Sequence, residues 1–197
     1  RGFMKAPTRL LGSLNFFALT AAAAAPAEAA PSLHMETDPA TFAFRGFAAH
    51  VRVVPEESHW SIGAGAYALD FPALLVDANP DNADEGWDVR LSLGVGAFVD
   101  YYLRTDTSGW FVGAQLAAQR FHYGREGFAG SAASTSLLAM PRGGYTCFPF
   151  HSGLYLMPWL GIGATAPVAG DRQIGGEEYV VFPLIPYGAL DLGWQLF

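Results

Sequence analysis

From Val89 to Arg104 the chain alternates without a break. Val89, Leu91, Leu93, Val95, Ala97, Val99, Tyr101 and Leu103 share one face, and Arg90, Ser92, Gly94, Gly96, Phe98, Asp100, Tyr102 and Arg104 share the other. A period of two is the signature of a strand, because successive side chains point to opposite faces. Strands in globular domains average about five or six residues, whereas a tilted strand crossing a bilayer needs about 9–11. One face of a soluble sheet has little use for so long an apolar row. The polar face, with Arg90, Asp100 and several glycines, fills a dry core badly, which points to an apolar exterior around a polar interior.

The same period recurs in Thr41–Val54, Trp60–Phe71, Trp110–Tyr123, Ser134–Phe148, Leu154–Pro167 and Tyr179–Phe197. The 23 glycines argue against a helical bundle, since each costs about 1 kcal/mol in a helix relative to alanine. Connections alternate in character. Pro55–His59, Thr105–Gly109 and Pro149–Gly153 are tight, while Pro72–Gly86, Gly124–Ala133 and Ala169–Glu178 are longer and polar. That alternation is the pattern of outer-membrane barrels, with tight turns on one side and long loops on the other. Single-chain bacterial barrels use even strand numbers, so the seven segments call for one more. Pro31–Ala40 is the available stretch, and the expectation is an eight-stranded antiparallel up-and-down barrel with a short, irregular first strand. Seven segments closed by a long last strand are the alternative.

The beginning of the chain reads as an address. Lys5 and Arg9 precede the apolar run Leu10–Ala25, and Ala27-Glu28-Ala29 supplies an A-x-A cleavage signal, so residues 1–29 are expected to be a signal peptide, with 1–3 upstream of it. The run falls short of the ~20 apolar residues of a spanning helix. Residues 30–40 then form an N-terminal segment and 41–197 the barrel. Without residues 1–29 the chain carries no lysine and a net charge of −9, which excludes a basic nucleic-acid surface. A single cysteine, Cys147, excludes an internal disulfide and a multi-cysteine metal site.

Signal peptide, glycine-aromatic strands and the ending Trp194-Gln195-Leu196-Phe197 together resemble the small outer-membrane β-barrels of the OmpX, OmpW and OmpA-transmembrane-domain type over residues 41–197. Phe197 matches the terminal phenylalanine of their assembly signals, while the apolar register Leu196, Trp194, Leu192, Leu190 lies one residue out of step. The resemblance implies a bacterial outer-membrane location, contact with lipid and lipopolysaccharide, and insertion by the barrel-assembly machinery. It also implies a structural or narrow-transport role without catalysis. An outer-leaflet lipid-modifying enzyme and a secreted soluble barrel holding an apolar ligand are the competing classes.

Read in register, the inner face collects His50, Arg52, Arg90, Asp100, Gln115, Gln119, Arg142 and Asp191. An eight-stranded interior is just wide enough to be filled by side chains, and a buried unpaired ion costs several kcal/mol. At least one of Arg52, Arg90 and Arg142 is therefore expected to pair with Asp100 or Asp191. The same residues serve equally as a polar conduit. For catalysis, His151-Ser152 are adjacent and would point to opposite faces, and His122 has no serine two positions away. No cofactor is expected beyond weakly bound Ca²⁺. For that ion, Asp77, Asn79, Asp81, Glu85 and Asp88 fall at positions 1, 3, 5, 9 and 12 of an EF-hand-type count. Position 6 is Asn82 where such loops carry glycine, and the flanks are strands, so a solvated turn is the plainer reading.

Overall fold

A computed structural model describes residues 30–150 and 152–196. The expected signal peptide, His151 and Phe197 lie outside the described residues. The elements in chain order are β1 (Ser32–Thr37), α1 (Ala40–Ala43), β2 (Phe47–Val54), β3 (Trp60–Asp70), α2 (Ala73–Val76), β4 (Trp87–Tyr102), β5 (Gly109–Arg125), β6 (Ala132–Thr146), β7 (Leu154–Gly170), the hairpin β8 (Gln173–Ile174) and β9 (Glu177–Glu178), and β10 (Leu184–Gln195). The fold is all-β. Eight strands run up and down, each antiparallel to its neighbours, in the closed order β1-β10-β7-β6-β5-β4-β3-β2.

The closing strand is the short one expected from Pro31–Ala40. Met35 of β1 faces Trp194 of β10 on one side and Val51 of β2 on the other. Strand length is uneven. β1 has 6 residues and β2 has 8, against 16 in β4 and 17 in β5 and β7.

Two boundaries and one register depart most from the sequence reading, each for a local reason. The segment expected from Thr41 becomes a strand only at Phe47, because residues 38–46 must reverse the chain between two paired strands. There the Thr41 hydroxyl donates to the Asp38 carbonyl (2.6 Å), the Gly46 amide donates to the Thr41 carbonyl (2.8 Å), and Arg45 takes φ 51°. The last strand starts at Leu184 rather than Tyr179, since Tyr179 packs into the long-loop end of the ring. Finally, β4 carries a bulge. Leu91 faces Phe121 and Leu93 faces Arg120, leaving Ser92 as the extra residue. An extra residue inverts the alternation beyond it. Above the bulge Trp87, Val89 and Leu91 turn inward, and below it Gly94, Phe98, Asp100 and Tyr102 do.

The two faces of the ring differ in chemistry. Val51, Val53, Ile62, Val95, Val112, Leu116, Leu137, Leu160, Ile162, Leu190 and Leu192 point outward and are exposed. Every buried ionisable strand residue points inward.

Candidate functional site

Near the tight-turn end, two arginines and two carboxylates form a layer across the interior. Arg52 arrives from β2, where Val51 and Val53 face out and force the residue between them in. Its Nε donates to Glu36 Oε1 of β1 at 2.8 Å, and its Nη1 donates to Asp100 Oδ2 of β4 at 2.5 Å and to Ser61 Oγ of β3 at 2.6 Å. Arg142 of β6 reaches the same Asp100 as a fork, Nε to Oδ1 at 3.0 Å and Nη2 to Oδ2 at 2.7 Å. The Tyr155 hydroxyl of β7 donates to Glu36 Oε1 at 2.6 Å. Six of the eight strands are thus tied through one network. Both guanidiniums lie over the Phe98 ring, 4.8 Å (Arg52) and 4.2 Å (Arg142) from its centroid.

Such a layer is possible because its members satisfy one another. Glu36, Arg52, Ser61 and Asp100 are buried to 5% exposure or less, where an unpaired charge would cost several kcal/mol. The bidentate geometry suits the planar guanidinium. Space matters as well: a Cβ on Gly113 would stand 2.1 Å from Asp100 Oδ1, so only glycine fits opposite that carboxylate. Beneath the layer, Tyr102, Phe111, Tyr155 and Met157 pack together and fill the tight-turn end.

Above the layer His50, Asp191 and Gln115 follow on the inner face. Asp191 Oδ2 accepts from Trp159 Nε1 at 2.9 Å, while Asp191 Oδ1 and His50 Nδ1 are buried without a partner. Gln119 donates through Nε2 to the Tyr67 hydroxyl at 3.0 Å. Of the eight residues assigned to the interior from sequence, seven lie on that face. Arg90 does not. The bulge at Ser92 turns it outward, where it is half exposed and paired with Asp70.

Glu36, Ser61, Tyr155 and Trp159 belong to the network and were not singled out from sequence. A signal existed for Glu36: in Ser32–Thr37 the polar residues Ser32, His34 and Glu36 share one register. Tyr155 and Trp159 are aromatic residues whose hydrogen-bonding tips only the fold aims at Glu36 and Asp191. Ser32 Oγ and His34 Nε2 are 3.0 Å apart, a serine–histidine contact between same-face neighbours. Among the described residues no carboxylate accepts from the Nδ1 of that ring, so the third group that would orient it as a base is not in place.

The long-loop end is closed differently. Val76, Trp87, Val89, Leu91, Phe121, Tyr123, Ile174 and Tyr179 form an apolar cluster at the mouth of the ring. Two loops clasp above it through Val180, whose carbonyl accepts from Asn79 Nδ2 (3.0 Å) and Asn82 Nδ2 (2.9 Å), and whose amide donates to Asn82 Oδ1 (2.9 Å). Arg125 donates to the Glu85 carbonyl at 3.0 Å, pairs with the Glu85 carboxylate, and lies over the Trp87 and Phe128 rings. Burial pushes the Tyr179 phenol up to about 12, with Tyr123 beside it adding to the shift.

This clasp uses two of the amide side chains from the loop matched to a Ca²⁺ count. Asn79 is turned to Val180 and Glu85 to Arg125, while Asp77, Asp81 and Asp88 stay exposed. Among the described residues the acidic and histidine ligand atoms that gather as a group of three are those of Glu36, His50 and Asp191, not those of the loop. Comparison with family models, curated proteins and solved structures gives no match.

Proposed function

We propose that the chain is an integral β-barrel protein of the bacterial outer membrane, with a structural rather than catalytic role and an interior closed by its own side chains. The observation that carries this reading is the outer wall. On the eight ring strands below Arg120, the outward positions hold no Asp, Glu, Lys or Arg. On β5 that wall runs from Trp110 to Ala118; nine residues rising about 3.3 Å each at a tilt of about 40° span about 23 Å, close to the ~25 Å apolar band of such barrels. Exposed Trp60, Trp110, Tyr145 and Trp194 ring its tight-turn edge, with Trp60 against Tyr101 (5.0 Å) and Trp110 against Tyr145 (5.2 Å). An aromatic girdle at a membrane interface has this composition. Arg120 and His122 begin the polar zone above.

Inverted polarity argues against a secreted soluble barrel, in which the apolar face would be inside. A closed interior favours a structural role over a conduit, since the ion-pair layer and the loop cap each fill the cross-section. In fractionation, the protein is expected in the membrane pellet, released only by detergent, with gel mobility that changes on boiling. Recovery as a monomer in detergent-free buffer overturns the reading. A sharper test is Leu116→Arg at the middle of the wall. It is expected to cost about 2–4 kcal/mol when folding is measured into lipid vesicles, whereas in a water-facing wall the exposed Leu116 is replaced at little cost. Lipid A deacylation or phospholipid hydrolysis by the purified protein would move the assignment to the enzyme class.

A further inference from the structure

We propose that Glu36, His50 and Asp191 bind a divalent cation of the zinc class inside the ring. One ligand atom from each of the three lies within 4.8 Å of the others. They come from β1, β2 and β10, the three strands at which the ring closes. His50 stands directly opposite Glu36 in the β1–β2 register.

Two further observations point to a cation there. Asp191 is 1% exposed, and its Oδ1 has no hydrogen-bond partner, as is also true of His50 Nδ1. A buried carboxylate oxygen and a buried ring nitrogen, left free on the two strands that flank β1, lack the donor or cation that buried lone pairs ordinarily meet. The ionisable groups of the interior also fail to match. Among the described residues the buried carboxyl groups on the ring strands are Glu36, Asp100 and Asp191, and the buried guanidiniums are Arg52 and Arg142, one more acid than base. Asp100 takes both guanidiniums and Glu36 takes one, so the surplus resides at Asp191.

The donors select the ion. One imidazole nitrogen with two carboxylates suits a borderline transition metal, whereas Ca²⁺ takes six to eight oxygens. The carboxylates are already oriented from behind, Asp191 by Trp159 Nε1 and Glu36 by Arg52 and Tyr155, which is how metal ligands are held in place. The His50 ring has a fitted berth, since a Cβ on Gly65 would lie 2.0 Å from its Cδ2. A metal here joins the six-residue strand β1 to both neighbours, fixing the seam where the ring has the fewest backbone bonds. The inference concerns the interior and does not depend on what the outer wall faces.

The test uses the purified chain, stripped with a chelator and titrated with Zn²⁺ alone. One Zn²⁺ per chain after gel filtration is expected, with a higher urea midpoint than the stripped protein. His50→Gln and Asp191→Asn are each expected to lose the ion while keeping a β-rich circular dichroism spectrum. His122→Gln, on the outer face, is expected to keep it. Co²⁺ on the unaltered chain gives a readout independent of whether the variants fold: a strong visible band from a low-symmetry, protein-ligated site is expected. A weak spectrum like that of the hydrated ion overturns the proposal, as does the absence of bound Zn²⁺. Zn²⁺ retained by both variants overturns it too. If the unaltered chain binds no Zn²⁺ and Asp191→Asn stabilises it, the surplus charge is balanced by a proton, and the metal site is refuted.

Discussion

The two ends of the interior are closed by opposite means. At the tight-turn end, Arg52, Arg142, Asp100 and Glu36 fill the ring with paired charges carried on strands. At the long-loop end, Trp87, Val89, Phe121, Ile174 and Tyr179 fill it with apolar side chains, several of them from loops. The charged layer is strong only as a whole, because removing one member strands the others in a low-dielectric interior. The apolar cap is tolerant, because each side chain contributes its own area and the loops relax around a loss. One end therefore governs whether the ring forms, and the other how readily its mouth opens.

The largest effect expected comes from Asp100→Ala. It removes the shared acceptor of Arg52 and Arg142 and should cost about 3–5 kcal/mol, read as a drop in the urea midpoint for the entire molecule. A midpoint within about 1 kcal/mol of the unaltered protein would mean that the layer is hydrated and the contrast between the ends is false. Alkaline pH sharpens the comparison from the other side. The folded cap keeps Tyr179 neutral, with its pKa raised from 10.0 to about 12. That contribution is complete below the unfolded value near 10 and is lost as pH rises through the folded one. Between those values, proteolytic cleavage within residues 171–183 is expected to accelerate, and Tyr179→Phe should reduce that pH dependence.

Asn82→Ala comes next, with about 1–3 kcal/mol for the two bonds to Val180 and the groups left unpaired. Because the clasp is confined to loops, the loss should appear as faster exchange at residues 79–85 and 178–182 with an unchanged global midpoint. A shifted midpoint would show the cap to be part of the cooperative unit. The smallest effect belongs to the turn after β4. There Arg104 and Ser108 hold the Asp106 carboxyl well below its ordinary range. Exposed pairs of this kind contribute little, so Asp106→Asn should leave the midpoint within error at pH 7. Any contribution the carboxylate does make is lost as pH falls through its lowered folded pKa.

Much of this contrast could be read before the fold was known. Arg52, Asp100 and Arg142 lie on polar registers of long alternating strands, and confining several charges to one narrow interior required them to pair. The upper end was harder to read. The bulge at Ser92 exchanges the faces of β4, so Arg90 goes out while Val89 and Leu91 come in. An unbroken alternation such as Val89–Arg104 contains no mark of where a residue will be squeezed out of register. The bulge arises from matching β4 to two neighbours at once, β3 with its own shift between Tyr67 and Leu69, and β5.

Local alternation by itself determined that this chain makes strands, located seven of the eight, and set which face of most of them is apolar, because strand geometry converts a period of two directly into two faces. Closure of the ring by Ser32–Thr37, the turning of Arg90, the meeting of Glu36 with Arg52 and Tyr155, and the diversion of Asn79 and Asn82 to Val180 were decided only by tertiary structure. Each joins residues distant in sequence, with 119 positions between Glu36 and Tyr155 and 98 between Asn82 and Val180. Such contacts follow from how strands stagger around a closed ring, a property of all eight together that no single segment contains.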